Sequence, residues 1–463
     1  MFKGYEIIVI VKFNDGLFVG FWQTGWHPTI FLAMMLHFVI ARTEACPYQR
    51  IVMSLPHASL SREDQVATVL RSPRLLLRET LAGVITALAL IPEVISFSVV
   101  AGVDPKVSLI ASVVLCLTLS AFGGRRAMVT AAAGSVALVI GPMVHQHGVQ
   151  YILPAVLMAG IIQILFGVLG MARLMRFIPQ SVMTGFVNAL GLLIFFAQVP
   201  HFWSRSPLIV GLFVLTLLIV LWVPRFVKSI PSPLIAIVLL TLFTVTTGQV
   251  LPTVGDEGSM SSGLPGLTQL LVPLNMETLS IIWPCALSIA FVGLLESLLT
   301  AKLVDELTAT TSSKRRESIG LGAGNILAGL YGGIAGCAMI GQTIVNVEMG
   351  KGRSRVSTFA AGMVLLVLVT ALSEVMAKIP MAVLAGIMAI VAIKTFNWHS
   401  LQPATLKSAP IAETVVMLIT VAATVSTGNL AIGVLGGIIV MALLPARLKR
   451  RFKEEKSLQA QEK

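Results

Sequence analysis

The chain has 463 residues, of which 56% are hydrophobic and only 12% charged, with a net charge of +12. That much apolar side chain exceeds what one soluble core can bury, so an ordinary soluble domain is excluded and a polytopic membrane protein is implied. The basic excess does not point to nucleic acid, because Lys and Arg sit in short loops between apolar runs with no interleaved basic-aromatic patches.

Residues 1–80 form an N-terminal segment unlike the rest. Phe21–Ala41 is apolar but interrupted by Trp22, Trp26, His27, Pro28 and His37 and has no small-residue cleavage site. It reads neither as a signal peptide nor as a full span. Met53 opens a polar leader, Ser54–Thr80, and is the expected start of translation; an amphipathic surface segment is the alternative.

From Leu81 onward the chain predicts fourteen apolar segments, at residues 81–101, 107–122, 130–145, 150–170, 180–199, 207–227, 233–250, 281–301, 318–331, 338–349, 356–377, 380–394, 410–427 and 429–446. Several are shorter than the ~20 residues of a full crossing. The short third and tenth carry glycine and polar interruptions. The expected organisation is a first seven-span repeat over 81–250, an extracellular loop over 251–280, a second seven-span repeat over 281–446 and a short basic cytoplasmic tail over 447–463.

Loop charges set the orientation. Loops assigned to the cytoplasm carry Arg71, Arg74 and Arg78, then Arg125 and Arg126, later Lys314, Arg315 and Arg316, then Lys351, Arg353 and Arg355, and the basic tail. The opposite loops carry only Lys106, Arg205 and Lys378. Both termini are therefore placed inside, in the inner or plasma membrane. His145 and His147 fall in a predicted external loop as solvated residues rather than metal ligands. Cys46, Cys116, Cys285 and Cys337 show no metal or CxxC spacing and read as buried thiols.

Tyr331–Gly350, YGGIAGCAMIGQTIVNVEMG, stands out among the apolar spans because it is rich in glycine and carries Gln342, Thr343, Asn346 and Glu348. Broken backbone at membrane depth is tolerated only where protein or a polar cavity surrounds it. Phe122–Gly141 aligns to it without gaps, and the first and eighth spans each hold one acid, Glu93 and Glu296. Seven spans per copy is an odd number, so the second copy must run inverted, an arrangement characteristic of secondary transporters.

At these residues the chain resembles the SulP family of inorganic anion transporters, the sulfate-permease group. The resemblance covers about Leu81 to Leu444. It is carried by AGVITALALIPEVISFSVVAGVDPKVSLIAS, IAFVGLLESLLTAKLVDELT, SKRRESIGLGAGNILAGLYGGIAG and IPMAVLAGIMAIVAI. It implies an all-α polytopic membrane protein with fourteen transmembrane segments in a seven-plus-seven inverted repeat (the UraA-like, SulP fold), divided into core and gate domains. It also implies an anion held between the facing ends of the third and tenth helices. Two departures stand out. SulP chains usually continue into a cytoplasmic STAS domain, whereas this one ends RLKRRFKEEKSLQAQEK. The family's frequent Ser-Arg-Thr-Ala-Val-Asn is here Gly341-Gln342-Thr343-Ile344-Val345-Asn346, without the arginine.

Two opposed helix N-termini offer free N–H groups and partial positive charge to an anion. Gly134, Ser135, Gly341, Gln342 and Thr343 are the residues expected there, with small-residue helix packing as the alternative role of the glycines. Glu296 is the expected cation-coupling residue, joined by Ser297. An acid at the centre of a span costs about 2.5–3.5 kcal/mol on insertion scales and so marks an ion or proton path. Glu93 follows Pro92 and is expected at the substrate with Ser96 and Phe97.

The chemistry indicates secondary active transport of a small inorganic anion, sulfate or bicarbonate, with H+ or Na+ as coupling ion, no other cofactor and no enzymatic activity. A nucleobase permease of the same fold, an uncoupled anion channel or exchanger, and a truncated remnant are the alternatives. The bilayer, the anion and a homodimeric copy are the partners this reading allows.

Overall fold

The computed structural model describes residues 9–13, 16–20, 66–170, 178–203, 206–226, 231–258, 266–269, 271–273, 275–402 and 411–443. The Phe21–Ala41 segment, Cys46, Met53 and the 447–463 tail lie outside them. The chain divides into two units, Met1–Ser54 and Leu55–Lys463. In the first, β1 (Val9–Phe13) and β2 (Gly16–Gly20) pair as an antiparallel hairpin, with Val11 opposite Phe18.

Among its described residues the second unit has fourteen principal helices, besides short ones at Val66–Arg71 and Ser373–Ala377. The first seven are α1 (Pro73–Ala101), α2 (Pro105–Phe122), α3 (Gly134–His147), α4 (Ile152–Val168), α5 (Gln180–Phe202), α6 (Pro207–Trp222) and α7 (Ser232–Thr247). The second seven are α8 (Met276–Thr308), α9 (Lys314–Leu330), α10 (Ile340–Ile344, continued by a π-helical turn over Val345–Met349), α11 (Arg355–Ala371), α12 (Met381–Thr395), α13 (Ile411–Thr427) and α14 (Leu430–Leu443). Among the described residues six helical segments are at least 18 residues long and apolar enough to cross a bilayer, and the other apolar helices are shorter.

Sequence chemistry places the helix ends. Prolines stand at the first turn of α1, α2, α6 and α7, where the missing N–H has no intrahelical acceptor to lose. Gly102 ends α1 in the left-handed region at φ 70°, where a Cβ would be strained. The Asn275 side chain accepts from Thr278 N at 2.8 Å and starts α8 within the 251–280 stretch, so that helix begins earlier and ends later than the predicted 281–301. Its extra turns lead past Glu296 to Asp305. His145 and His147 are also placed differently: they close the last turn of α3 instead of lying in a loop.

The helices pack as two groups. In the core, α1 packs on α11, α4 on α8 and α9, and α2 on α9 and α11. In the gate, α5 packs on α12, α13 and α14, and α6 on α7 and α12. The core crossings are close: a Cβ built on Gly83 of α1 would lie 2.6 Å from Ser357 O of α11. Small residues at such points let helix backbones approach where lipid offers no hydrophobic drive between helices.

At the centre of the core, two extended triplets interrupt the helical pattern. β3 (Thr130–Ala132) leads into α3, and β4 (Gly336–Ala338) leads into α10. They pair antiparallel with Ala131 opposite Cys337, and Met339 N donates to Val129 O at 2.9 Å. The outward-facing backbone groups of this ribbon are met by side chains of the surrounding helices. Ala132 N donates to Ser112 Oγ of α2 at 3.1 Å, and Cys116 Sγ donates to Thr130 O at 3.2 Å. Ala338 N donates to Ser297 Oγ at 3.0 Å, while Thr300 Oγ1 donates to Ala338 O at 3.0 Å. Asn325 of α9 brackets Gly336, accepting from its N–H at 2.8 Å and donating to its carbonyl at 3.2 Å.

The ribbon corrects the repeat alignment. Ala131 faces its counterpart Cys337, and the start of α3 at Gly134 corresponds to the start of α10 at Ile340, whereas the ungapped alignment sets Gly134 opposite Thr343. Five residues, Arg125–Val129, join Gly124 to β3, but only two, Ile334–Ala335, join Gly333 to β4. The first copy thus carries three extra residues after its Gly-Gly pair.

Replacing Asn325 by Leu leaves both Gly336 backbone groups without their side-chain partner, at a cost of about 1–3 kcal/mol per buried group. A clear drop in thermal midpoint of the detergent-purified protein is expected, and Asn325→Asp should recover the N–H acceptor but not the donor.

Candidate functional site

Both helices that follow the ribbon start without a side-chain cap. Their N-cap residues are Ala133 and Met339, neither of which can accept a hydrogen bond from the first turn. Thr343 N is already bonded to Met339 O at 3.0 Å and Ala137 N to Ala133 O at 2.9 Å. The amides before them, at Gly134, Ser135 and Val136 and at Ile340, Gly341 and Gln342, have no intrahelical acceptor by helix geometry. Two uncapped helix starts, brought together by one ribbon, concentrate N–H groups and positive helix ends in one place at the middle of the core.

Glu296 stands between them. Its carboxylate accepts from Ser135 Oγ, in the first turn of α3, and from Cys337 Sγ of β4 at 3.1 Å. It is 8% exposed. One carboxylate on α8 therefore touches both broken segments. Cys337, read from the sequence only as a buried thiol, is a donor to this acid; its position in the middle of the glycine-rich stretch was the available signal.

Glu93 occupies the corresponding place on α1 and is 9% exposed. The Gln342 amide reaches its carboxyl, and Lys394, in the last turn of α12, acts on it electrostatically. Gln342 Nε2 also donates to Ala89 O at 3.3 Å, while Gln342 Oε1 is buried with no hydrogen-bond partner. Only the packing of gate against core brings Lys394 toward Glu93.

The remaining expected residues separate into two kinds. Gly341 is exposed, and a Cβ built on it would meet nothing within 4 Å, so this helix start borders open space at the depth of the bilayer. Gly134 is different, since a Cβ there would lie 2.5 Å from the ring of the buried Phe97. Ser96 Oγ donates back to Pro92 O at 2.9 Å. Ser297 and Thr343 are fully buried and turned to the ribbon; Thr343 Oγ1 accepts from Val129 N at 3.0 Å. Thr343, expected at the anion, thus also holds the scaffold, its hydroxyl accepting the amide that leads into β3. Among the described residues no group of three His, Cys, Asp or Glu is close enough to hold a metal ion.

Residues 76–207 and 201–420 match the model of the sulfate permease family. The chain is 48% identical over 370 residues to the protein named "Putative sulfate transporter YbaR" of Bacillus subtilis, covering 79% of this chain and 76% of that one. It is 28% identical over 357 residues to the bicarbonate transporter BicA of a Picosynechococcus species, covering 70% of this chain and 62% of BicA, less than two thirds of that relative's length. Among solved structures, the transmembrane domain of a cyanobacterial BicA superposes with a TM-score of 0.70 at 26% identity, covering 78% of this chain and 97% of that domain. SLC26A9 shares the fold at a TM-score of 0.70 and 15% identity, covering 91% of this chain and 71% of that one.

The contrast between the two glycines is measurable. Gly134→Ala forces the Phe97 ring to move and should lower the thermal midpoint, since overpacking costs about 1–3 kcal/mol. Gly341→Ala should leave the midpoint within about 1 °C, as expected for a side chain added into open space.

Proposed function

The chain belongs to the sulfate permease family, and from that premise we propose that it moves sulfate or bicarbonate across the cell membrane by alternating access, coupled to H+ or Na+ through Glu296. It is an integral membrane anion transporter and not an enzyme. The observation that carries the finer reading is the contact of one carboxylate with both broken segments, at Ser135 and Cys337. An anion docked on the first-turn amides of α3 and α10 adds negative charge beside Glu296. A proton or sodium ion arriving with the anion offsets that charge, which ties the two movements together.

The choice of anion rests on the electrostatics of the α10 start. Gln342 brings no charge, so the helix ends and the distant Lys394 supply the positive potential, while Glu93 opposes it. A singly charged anion such as bicarbonate demands less of that site than sulfate. Rocking of the gate, α5–α7 with α12–α14, against the core, α1–α4 with α8–α11, is the proposed movement. A homodimer with both termini in the cytoplasm completes the reading. An uncoupled channel would share the helices but need no acid at Glu296.

In proteoliposomes with imposed proton or sodium gradients, Glu296→Gln should abolish accumulation of labelled bicarbonate or sulfate against its gradient. Accumulation at the wild-type level would sink the coupled reading. Gln342→Arg should shift competition toward sulfate over bicarbonate by about tenfold, the effect of about 1.4 kcal/mol from one added cation in a partly buried site. An unchanged preference would remove Gln342 from the anion site.

A further inference from the structure

The longer, five-residue link of the first copy carries Arg125 and Arg126, which help to build a second polar site, at the end of the core where α2 stops and α9 begins. The pocket there has a volume of about 190 Å³ and is lined by five arginines, Arg125, Arg126, Arg316, Arg353 and Arg355. Nearby carboxylates do not balance them. Asp305 pairs with Arg125 at 3.2 Å and with Lys314 at 2.9 Å. Glu79 accepts from Arg353 N and Ser354 N at 2.9 and 3.0 Å, and Glu317 accepts from Gly124 N and Arg125 N at 2.7 and 3.1 Å. Five guanidinium groups and Lys314 thus face three carboxylates, one of which, Glu79, also pairs with Arg78 at 3.3 Å.

The cations crowd one another. Burial, and after it the charges of Arg316 and Arg126, lower the Arg355 guanidinium from its ordinary value, with Glu317 opposing. Burial also pushes the Glu317 carboxyl up to about 7, against the two backbone N–H groups and the charges of Arg355 and Lys314, so at neutral pH it offsets only part of the cluster.

Some of these arginines have structural work. Arg316 donates to Phe122 O and Ala121 O, both at 3.1 Å, and Arg355 donates to Gly123 O at 2.6 Å and Ser120 O at 2.8 Å. They close the C-terminal end of α2, where carbonyls lack helical donors. Capping leaves Arg353 unexplained: its Nη1 is buried and has no hydrogen-bond partner. A buried guanidinium N–H is costly without an acceptor, and phosphate oxygens match the guanidinium fork.

Beside this pocket runs a groove of about 460 Å³ along the outer face of α9, over Ile319, Gly320 and Ala323, with the exposed Phe122 as its other wall. Ser313 and Arg316 line both cavities. An arginine-rich pocket therefore adjoins a groove whose far end, at Phe122, Ile319 and Ala323, is apolar.

We propose that this pocket binds the phosphate of an anionic phospholipid, with one acyl chain lying in the groove over Ile319 and Ala323. A soluble phosphate ester shares the headgroup chemistry but leaves the groove unused, and that distinguishes the two sources.

The test uses the full-length protein in mild detergent, with lipid retention read by native mass spectrometry and thermal midpoint. Phosphatidylglycerol should be retained about tenfold over phosphatidylcholine, and Arg126→Gln/Arg353→Gln should remove that preference, given about 1 kcal/mol per basic residue near an anionic headgroup. Ala323→Trp, which fills the groove, should weaken lipid retention as well. If the double variant does not fold, the wild type still decides, because raising salt to about 0.5 M should erase the preference for the anionic lipid. Equal retention of both lipids, or an unchanged preference in the folded double variant, overturns the proposal. Glycerol phosphate or inorganic phosphate stabilising the protein as strongly as phosphatidylglycerol overturns the lipid assignment in favour of a soluble ligand.

Discussion

The core depends on three residues pairing with three. β3 and β4 form the smallest of sheets at the depth where a bilayer offers backbone groups no water, and an open two-stranded ribbon has two unpaired edges. Those edges are closed by Ser112 and Cys116 of α2, Ser297 and Thr300 of α8, and Asn325 of α9. Remove the helices and the ribbon is an orphaned stretch of peptide in hydrocarbon. Remove the ribbon and each of these polar side chains loses a buried hydrogen bond. Neither half of the repeat can build this alone, because each contributes only one strand.

That shared ribbon determines where the two short helices start. An extended triplet ends at the N-cap of α3 and another at the N-cap of α10, and their antiparallel pairing sets the two starts side by side. Apolar N-caps then leave first-turn amides unsatisfied at both. A soluble protein would place Ser, Thr or Asp there. Here the omission coincides with a carboxylate that touches both segments and with open space beside Gly341. The apolar N-caps of α3 and α10 thus meet at one place in the core, beside Glu296.

The two copies are equivalent in topology but not in chemistry. Glu296 is held by a hydroxyl and a thiol, whereas Glu93 faces an amide and a distant ammonium on the gate. The first copy's longer link to its strand supplies Arg125 and Arg126, and the second copy has no counterpart to them. Inverted symmetry sets the scaffold, and the departures from it distinguish the central site from the basic end.

Much of this architecture is legible in the residues. Fourteen apolar runs, the sorting of Lys and Arg among loops, and the glycine-rich stretch at Tyr331–Gly350 are consequences of what a bilayer tolerates, and those constraints act on local sequence. Glu93 and Glu296 were visible for the same reason: a carboxyl amid apolar residues is conspicuous wherever the chain places it. The rest depended on partners far away in sequence. The strand pair spans more than 200 residues, and a triplet such as Gly336–Ala338 has no periodicity by which to announce itself. Thr343 was expected at the anion and Ser297 beside Glu296, and both hydroxyls also accept backbone amides that only the fold puts in reach. Gly134 and Gly341 were indistinguishable as letters, and the packing of Phe97 against one of them separates their roles. The order of residues by itself determined that this chain spans a membrane with two broken helices and with Glu93 and Glu296 amid apolar spans. Tertiary structure decided which polar groups hold the backbone and which gather around Glu296, because a hydrogen bond between distant segments leaves no trace in either segment by itself.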